Sequence, residues 1–333
     1  MTKVKPLDRY QMPHPRPKLY ASKCLGFCNC WWNGQKIFSD FVEKVKPFVD
    51  FVTHCPEVEI GLGSPRKWLR IVVVDGEKRF VQPSTGSDYT DEMTDYIGLT
   101  VPALPPLDGF ILRMGSPSCS MKGIKYYQGV DPKARVVGEG PGLFGDRILH
   151  KYGGYPVESD GRLRNQQIRE DFLIRVFLLA SLREVEEKRE MRYLADFHST
   201  NKYLLKAFSQ KHLNILGNIV ANRGNGDLAT ILNKYRKNLL EATSKSLESS
   251  SVVNVLYTIY GYFKEALSDD EKSHFHERIE SYRNGVGSIV SLTEMVRLWA
   301  IRFGDEYIKK QTFFEPFPQA LNEICKMDRY QTE

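Results

Sequence analysis

Three of the six cysteines in this 333-residue chain stand close together. Cys24, Cys28 and Cys30 lie within seven residues, whereas Cys55, Cys119 and Cys325 are scattered along the chain. In a protein of a reducing compartment, such a group indicates a metal ion, an iron–sulfur cluster or catalysis rather than disulfides. Zinc sites favour cysteine pairs two to four residues apart, usually with a second such pair, which this sequence lacks.

An iron–sulfur cluster fits the same cysteines in a different way. Three thiolates from two separated loops suit a [4Fe–4S] cluster, because sulfur ligands stabilise iron clusters and an iron without a protein ligand can bind substrate. Neither common ferredoxin spacing is present. The spacing alone therefore does not choose between the possible uses of these cysteines.

Two further side chains near cysteines could do chemistry. Glu57 follows Cys55-Pro56, and Ser116 opens the run Ser116-Pro117-Ser118-Cys119. A carboxylate beside a low-dielectric site can act as a general base, and a serine hydroxyl can donate a hydrogen bond to substrate. The alternatives are that Glu57 is a surface turn residue or a helix N-terminal acid, and that Ser116 belongs to an ordinary Ser-Pro turn.

Short apolar runs precede these loops and must position them. They are LYAS (19–22), FVDFVTH (48–54), LRIVVVDG (69–76) and DGFILRM (108–114). Helix-compatible spacing in residues 35–47 and 87–99 lies between them, so the order predicts an α/β domain with a Rossmann-like parallel sheet. Ligands bind outside the carboxyl ends of such strands, where the three cysteine-bearing loops should meet.

The second half of the chain has a different pattern. Residues 127–162 are rich in Gly and Pro, and we expect closing loops and a linker there. From Asn165 to about Arg302, apolar residues recur with the 3.6-residue period of helices, which predicts six or seven helices. The prediction is a domain of residues 1–160 followed by an all-α domain of residues 161–333.

Composition and charge narrow the class of protein. At 41% hydrophobic and 26% charged residues the chain is typical of globular proteins,. It has no apolar run of the roughly 18 to 20 residues that a membrane helix needs, and its first residues form no secretory signal. We therefore expect a cytoplasmic protein without a membrane partner.

Residues 162–245 form a distinctly basic block, with 16 Lys and Arg against 9 Asp and Glu. A localised basic surface is what a nucleic-acid partner requires, although a solvated helix surface can have the same composition. His198, one turn from Lys202, is expected to be a structural histidine. The candidate RNA-binding residues are Lys202, Lys206, Lys211, Arg223, Lys234, Arg236 and Lys237.

Four motifs in the first half resemble those of the thiouracil and thiouridine desulfidase family. They are CLGFCNCWWNG (24–34), CPEVEIGLGSPR (55–66), TGSDYT (85–90) and SPSCS (116–120). The resemblance implies a [4Fe–4S] cluster held by three cysteines, with the substrate's sulfur on the fourth iron. It implies a non-redox hydrolysis that turns C=S into C=O and releases sulfide.

Site residues carried over from the family are specific positions of this sequence. Cys24 and Cys30, with five residues between them, and Cys119 become the cluster ligands, Glu57 the acid/base, and Ser116 the substrate-side hydroxyl. Trp31-Trp32-Asn33 replaces the family's usual Arg-Tyr-Asp, and Ser120 replaces its more common Gly. Aromatic side chains can hold an unstacked base. The pocket candidates are therefore Trp31, Trp32 and Arg66, each with a place in the core or at a domain interface as the alternative.

The second half resembles the helical YbgA-like domain that often follows desulfidase domains. The matching stretches are PVESDGRLRN (156–165), ADFHSTNKYLLKA (195–207), LGNIVA (216–221), NVLYTIYGYFK (254–264) and YIKKQTFFEPFP (307–318). Proteins with this arrangement resemble desulfidases that act on 4-thiouridine in tRNA. Two alternatives stay open: a desulfidase of free thiouracil or 4-thio-UMP, and a non-enzymatic RNA-binding protein whose cluster is structural, with Cys28 or Cys55 as a fourth ligand.

Overall fold

The chain forms two compact units. The computed structural model describes residues 14–322, apart from residues 132, 222–225, 285 and 287–288. The first unit, called the α/β unit, consists of Arg16–Ala180 with residues 320–322. The second, called the helical unit, consists of Ser181–Gln319 with residues 14–15. The division lies inside one helix, 20 residues beyond the change in sequence pattern at residue 160.

The α/β unit contains two sheets and the helices that cover them. Its helices are α1 (Asp40–Val45), α2 (Thr90–Ala103), α3 (Leu143–Lys151) and the first part of α4 (Gln166–Lys188). Its strands are β1 (Lys18–Ser22), β2 (Asp50–His54), β3 (Arg70–Val74), β4 (Glu77–Gln82), β5 (Ser87–Asp88), β6 (Gly109–Leu112), β7 (Ile124–Tyr127), β8 (Val136–Gly140) and β9 (Val157–Ser159).

The first sheet is entirely parallel, with the order β2-β1-β6-β9. Tyr20 of β1 lies opposite Val52 of β2 and Phe110 of β6. Strands that run in one direction end at one edge, so the loops after β1, β2 and β6 share that edge. This confirms the predicted parallel α/β architecture and places three cysteine-bearing loops at one rim.

Side chains pack on both faces of the parallel sheet. Tyr20 and Phe110 belong to a buried cluster with Phe144 and Ile148 of α3. On the opposite face, Gly109 lies close to Val176 of α4, where a Cβ on Gly109 would come within 2.7 Å of a valine methyl. Full burial of each large apolar side chain stabilises the fold by about 1.5–3 kcal/mol, so this packing fixes β1 and β6, from which the cysteine-bearing loops start.

A second sheet, with the order β5-β4-β3-β7-β8, was not predicted. The run 69–76 forms β3, which pairs antiparallel with β4 rather than joining the parallel sheet. Asp75 and Gly76 both have positive φ, 51° and 84°, as a tight two-residue hairpin turn requires,. The expectation of closing loops and a linker in residues 127–162 is also wrong, because this segment contains β8, α3 and β9.

The helical unit confirms the predicted all-α second part. After the end of α4 it contains α5 (Met191–Thr200), α6 (Lys202–Phe208), α7 (Gln210–Val220), α8 (Leu228–Ala242), α9 (Ser249–Phe263), α10 (Asp269–Arg283), α11 (Ile289–Arg302) and α12 (Glu306–Lys309). Within the described residues this exceeds the predicted six or seven helices, partly because single residues separate α5, α6 and α7. Asn201 ends α5, and Ser209 caps α7 by accepting a hydrogen bond from the amide of His212,. In the described part of the chain, every helix is too short or too polar to cross a membrane.

Candidate functional site

Four buried cysteines lie at the carboxyl edge of the parallel sheet. Cys24 follows β1, Cys55 follows β2 and Cys119 follows β6, while Cys30 lies in the same loop as Cys24. All four are free thiols with at most 7% exposure, whereas Cys28 is half-buried. The structure therefore brings the predicted ligands Cys24, Cys30 and Cys119 to one rim and adds Cys55 to them.

The thiols influence one another's ionisation. Burial, together with the neighbouring Cys55 and Glu57, raises the pKa of Cys119 to about 12, although hydrogen bonds from Ser22 and Ser118 oppose the rise. Burial and then Cys119 and Cys55 raise the pKa of Cys24. A hydrogen bond between Cys30 and Cys55 raises the pKa of Cys30 and lowers that of Cys55. Several thiolates in this space require a compensating cation, which iron would provide.

The arrangement does not form a site for a single metal ion. Among the described residues, no three His, Cys, Asp or Glu side chains are grouped in the way that one ion requires. A [4Fe–4S] cube is different, because its thiolates bind different iron atoms and need not converge on one point. The buried, sulfur-rich donor set thus fits a cluster better than it fits zinc.

Glu57 is buried beside the cysteines, so its placement as a surface turn residue is excluded. It is 5% exposed and lies just before the helical turn Val58–Leu62, without a capping hydrogen bond of its own. Ser118 donates to its Oε1 at 2.7 Å and Ser116 to the same oxygen at 3.2 Å. The two hydroxyls are 2.9 Å apart. The carboxylate can therefore exchange hydrogen bonds or protons with two serines.

Arg66 supplies the opposite charge to Glu57. Its guanidinium donates to Glu57 Oε2 through Nε at 2.8 Å and through a second nitrogen, and its side chain is 3% exposed. The same guanidinium donates to the carbonyls of Cys30, at 3.1 Å, and Gly63, at 2.9 Å. Arg66 was predicted to line a substrate pocket; in the structure it holds Glu57 and ties it to the Cys30 loop.

The loop around Cys30 is fastened to residues 64–66. Ser64 Oγ donates to the carbonyls of Asn29, at 2.9 Å, and Trp31, at 3.0 Å. The Arg66 amide donates to the Trp32 carbonyl at 2.7 Å. Trp32 is 43% exposed and available to a ligand. We call residues 29–32 and 63–66 together the Trp-loop clamp.

The N-terminal turn of α3 positions the Ser116–Cys119 loop. Leu143 N donates to the Pro117 carbonyl at 3.1 Å and Gly145 N to the Ser118 carbonyl at 3.0 Å. These contacts satisfy amides that would otherwise have no partner at the start of a helix. They require glycine, because a Cβ at Gly145 would lie 2.3 Å from the Ser120 carbonyl oxygen. Sequence reasoning assigned this glycine-rich run to a closing loop and missed its role.

Arg113, directly after β6, is another site residue that sequence reasoning missed. Its guanidinium stacks on Trp31, with 4.9 Å between the guanidinium carbon and the ring centroid, and pairs with Asp160. Its buried Nε has no hydrogen-bond partner in the described structure. Its charge counteracts the raised pKa of Cys24. A charged residue at the end of an apolar strand was the available signal.

The basic candidates of the helical unit have different surroundings. Lys202 and Lys206 line one cavity together with His198. Arg236 Nε donates to Glu186 at 2.7 Å, so its charge is already paired. Lys211, Lys234 and Lys237 are exposed, and Arg223 lies outside the described residues. The His198 Nδ1 and the Tyr235 hydroxyl are 3.0 Å apart, as expected of a structural histidine.

Comparisons with known proteins match the two halves of the chain to different families. Residues 19–160 match the model of the 2-thiouracil desulfurase family, and residues 202–318 match DUF1722, a family of proteins of unknown function. The uncharacterized protein YbbK of Bacillus subtilis (strain 168) is 28% identical over 155 residues, which are 44% of this chain and 98% of YbbK.

A solved structure of the [4Fe-4S]-dependent thiouracil desulfidase TudS is 26% identical to this chain. The match covers 45% of this chain and 94% of TudS, with a TM-score of 0.32. The rim of cysteines, Glu57 and the two serines lies wholly within the region matched by the family model. The part of this chain that contains the site is therefore similar to the 2-thiouracil desulfurase family.

Proposed function

We propose that the α/β unit removes sulfur from thiolated pyrimidines with the help of a [4Fe–4S] cluster. The observation that carries the proposal is the buried set of thiols beside the Glu57–Arg66 pair, inside the segment that matches the 2-thiouracil desulfurase family. The proposed ligands are Cys24, Cys30 and Cys119, within a catalytic domain of residues 1–160.

The side chains around the thiols fit such a cluster. Cysteine sulfur is the preferred ligand of iron–sulfur clusters, and the four buried thiols are free of disulfides,. Arg113 adds a cation beside Cys24, and its unpartnered buried Nε can donate to a sulfide or to a substrate. When bound, the cluster would supply an iron Lewis acid for the thiocarbonyl sulfur.

The protein's own groups supply the proton transfers. Glu57 Oε1 would accept a proton from water as the water oxygen forms a bond to the ring carbon. Arg66 occupies Oε2, which leaves Oε1 to the serines and to that water. Ser116, which hydrogen-bonds Glu57 Oε1, would pass its hydroxyl proton to the departing sulfur and take the proton that Glu57 received from water. The balance is C=S plus water giving C=O plus hydrogen sulfide, without an oxidant or a reductant.

For the substrate we propose 4-thiouridine in tRNA, with the helical domain of residues 161–333 contributing to RNA binding. A free base needs no second domain, whereas a polyanion needs several basic side chains, and residues 162–245 carry 16 Lys and Arg against 9 Asp and Glu,. Free thiouracil and 4-thio-UMP are the alternative substrates. We also propose a cytoplasmic location.

The test compares wild-type protein with Glu57→Gln after anaerobic reconstitution with iron and sulfide. A general base contributes about 10² to 10⁴ in rate, so Glu57→Gln should retain iron but lose that factor in kcat on 4-thiouridine. Thiolated tRNA, 4-thio-UMP and thiouracil are compared at equal concentration to rank the substrates. Near wild-type turnover by Glu57→Gln would exclude the general-base role.

Cys55 favours a second candidate function. Its sulfur is 3.7 Å from the Cys30 carbonyl, and it hydrogen-bonds the Cys30 thiol, so it lies among the proposed ligands. With four cysteine ligands every iron would be saturated, and the protein would be an RNA-binding protein with a structural cluster. Cys55→Ser separates the two: a catalytic cluster with three ligands keeps its iron, whereas a structural four-cysteine cluster loses it.

A further inference from the structure

One face of α7 forms the floor of a cavity of about 700 Å³ in the helical unit. The lining residues Gln210, Leu213, Asn214, Gly217 and Asn218 have the spacing of a single helix face, and Ala221, the C-cap of α7, continues it. At about 1.5 Å per residue, the 11 residues of α7 make the floor about 16 Å long,. We call this cavity the α7 groove; its walls are His198 of α5, Lys202, Tyr203 and Lys206 of α6, and Thr258 and Tyr262 of α9.

The charge of the α7 groove is entirely positive. Lys202 and Lys206 stand one helical turn apart on α6, and no carboxylate is among the described lining residues. Burial and then the charge of Lys202 lower the pKa of Lys206, whose Nζ donates to Thr258 Oγ1 at 2.6 Å. Two ammonium groups in a concave site without a carboxylate are suited to an anion, since nearby low-dielectric walls strengthen the attraction.

The remaining lining groups suit a nucleobase rather than a bare anion. Tyr262 is 52% exposed, and the amides of Asn214 and Asn218 are at the surface of the same groove. The buried Tyr203 hydroxyl has no hydrogen-bond partner in the described structure, and burial and then the nearby Tyr262 phenol raise the pKa of Tyr203. Exposed aromatic rings stack on bases, and amide side chains read base edges.

We propose that the α7 groove binds a short unpaired RNA segment, with a backbone phosphate between Lys202 and Lys206 and a base against Tyr262. The bases of a duplex are stacked and paired, so they cannot reach Tyr262 or the amides, whereas the bases of a loop or a single strand can. The inference deepens the proposed action on tRNA and rests on it for the identity of the RNA. It predicts that binding depends on particular residues and not on positive charge alone.

The experiment measures binding by the full chain without cluster, so its result does not depend on desulfidase activity. The probes are a single-stranded oligouridylate of about eight nucleotides, a duplex of the same length, and free UMP. Lys202→Gln/Lys206→Gln should weaken single-strand binding about 10-fold or more and reduce the salt slope by about 0.7, the contribution of the one phosphate that the two lysines share. The matched control is Lys264→Gln/Lys310→Gln, which removes the same charge from exposed positions of the helical unit outside the basic block and should change binding by less than about 3-fold.

Two further variants keep the test decisive. Lys202→Arg/Lys206→Arg should restore binding, which excludes a folding defect as the cause of the loss. Tyr262→Ala should weaken binding about 5-fold or more while Tyr262→Phe does not, because stacking needs the ring and not the hydroxyl. Equal losses in the groove and control variants, equal affinity for the duplex, or displacement of the oligonucleotide by equimolar UMP would each overturn the proposal. If desulfidation fails on every thiolated substrate while these binding results hold, the proposed reaction falls and the groove assignment stands.

Discussion

Replacing Gly145 by alanine should damage the site without touching any chemical group. The new Cβ would lie 2.3 Å from the Ser120 carbonyl oxygen and 2.6 Å from that of Cys119. Real Cβ atoms stay at least 3.0 Å from such atoms, so α3 and the loop must separate by about 0.7 Å. Both obstructing atoms are backbone, and no side-chain rotation relieves the contact.

The expected loss of stability follows from two opposing effects. Forced overpacking costs about 1–3 kcal/mol, and backbone obstruction places this case near the upper value. Alanine gains about 1 kcal/mol over glycine inside a helix such as α3. The net cost of about 2 kcal/mol should lower the melting temperature of the α/β unit by about 4–8 °C. The separated loop carries Cys119, so iron bound after reconstitution should fall as well.

The control is Gly153→Ala, just after the end of α3, where the nearest atom to a new Cβ is 4.0 Å away. It should leave the melting temperature and the iron content unchanged or slightly raised. Both variants are followed by thermal unfolding and by iron and sulfide per chain. Wild-type melting temperature and full iron loading in Gly145→Ala would refute the role of glycine in seating the Cys119 loop.

Three other predictions concern single side chains. Ser118→Ala removes a 2.7 Å hydrogen bond to the buried Glu57 carboxylate. A hydrogen bond to a charged group contributes about 1.5–3 kcal/mol, so the variant should retain iron and lower kcat on 4-thio-UMP about 10- to 150-fold. An unchanged kcat would leave Ser116 as the functional hydroxyl. Cys28→Ser should keep the iron that Cys119→Ser loses, because Cys28 is half-buried and Cys119 is buried at the rim; equal iron in the two variants would contradict the ligand assignment. Burial and then the charge of Lys202 lower the pKa of His198 below 6.5. As the pH falls, His198 therefore becomes protonated in the unfolded chain at a higher pH than in the folded chain. The stability of the helical unit should consequently fall as the pH drops below about 6.5. His198→Gln should flatten that decline in melting temperature, and an unchanged slope would locate the titrating group elsewhere.

The shared rim could be predicted because its signals are local. The strands β1, β2 and β6 each end one to seven residues before a cysteine. Because the carboxyl ends of parallel strands lie at one edge of the sheet, the loops that follow them lie there too. The second sheet carried an equally local signal, the Asp75-Gly76 turn, but the run before it was assigned to the parallel sheet. The Asp-Gly turn makes β3 form a hairpin with β4, although the alternation of strands and helices along the sequence had indicated a parallel strand.

The contacts of the supporting residues could not be predicted because their partners are distant in sequence. Ser118 reaches Glu57 across 61 residues, and Arg113 reaches Asp160 across 47. Nothing near Gly145 indicates that a carbonyl 25 residues earlier in the chain would lie against it. Such contacts are determined by how α3 packs on the sheet, which periodicity and composition do not specify.

The Trp-loop clamp makes the conformation of one stretch of sequence depend on the residues of another. Residues 29–32, which carry the exposed Trp32, are held by Ser64 and by the amide and guanidinium of Arg66. A chimaera that took only residues 29–32 from a relative would keep Ser64 and Arg66, whose positions match the carbonyls of the original loop. Replacement of this loop by that of a relative therefore requires both stretches to be exchanged together. Exchange of one stretch alone would disturb the hydrogen bonds that hold Arg66, and through it Glu57, in place.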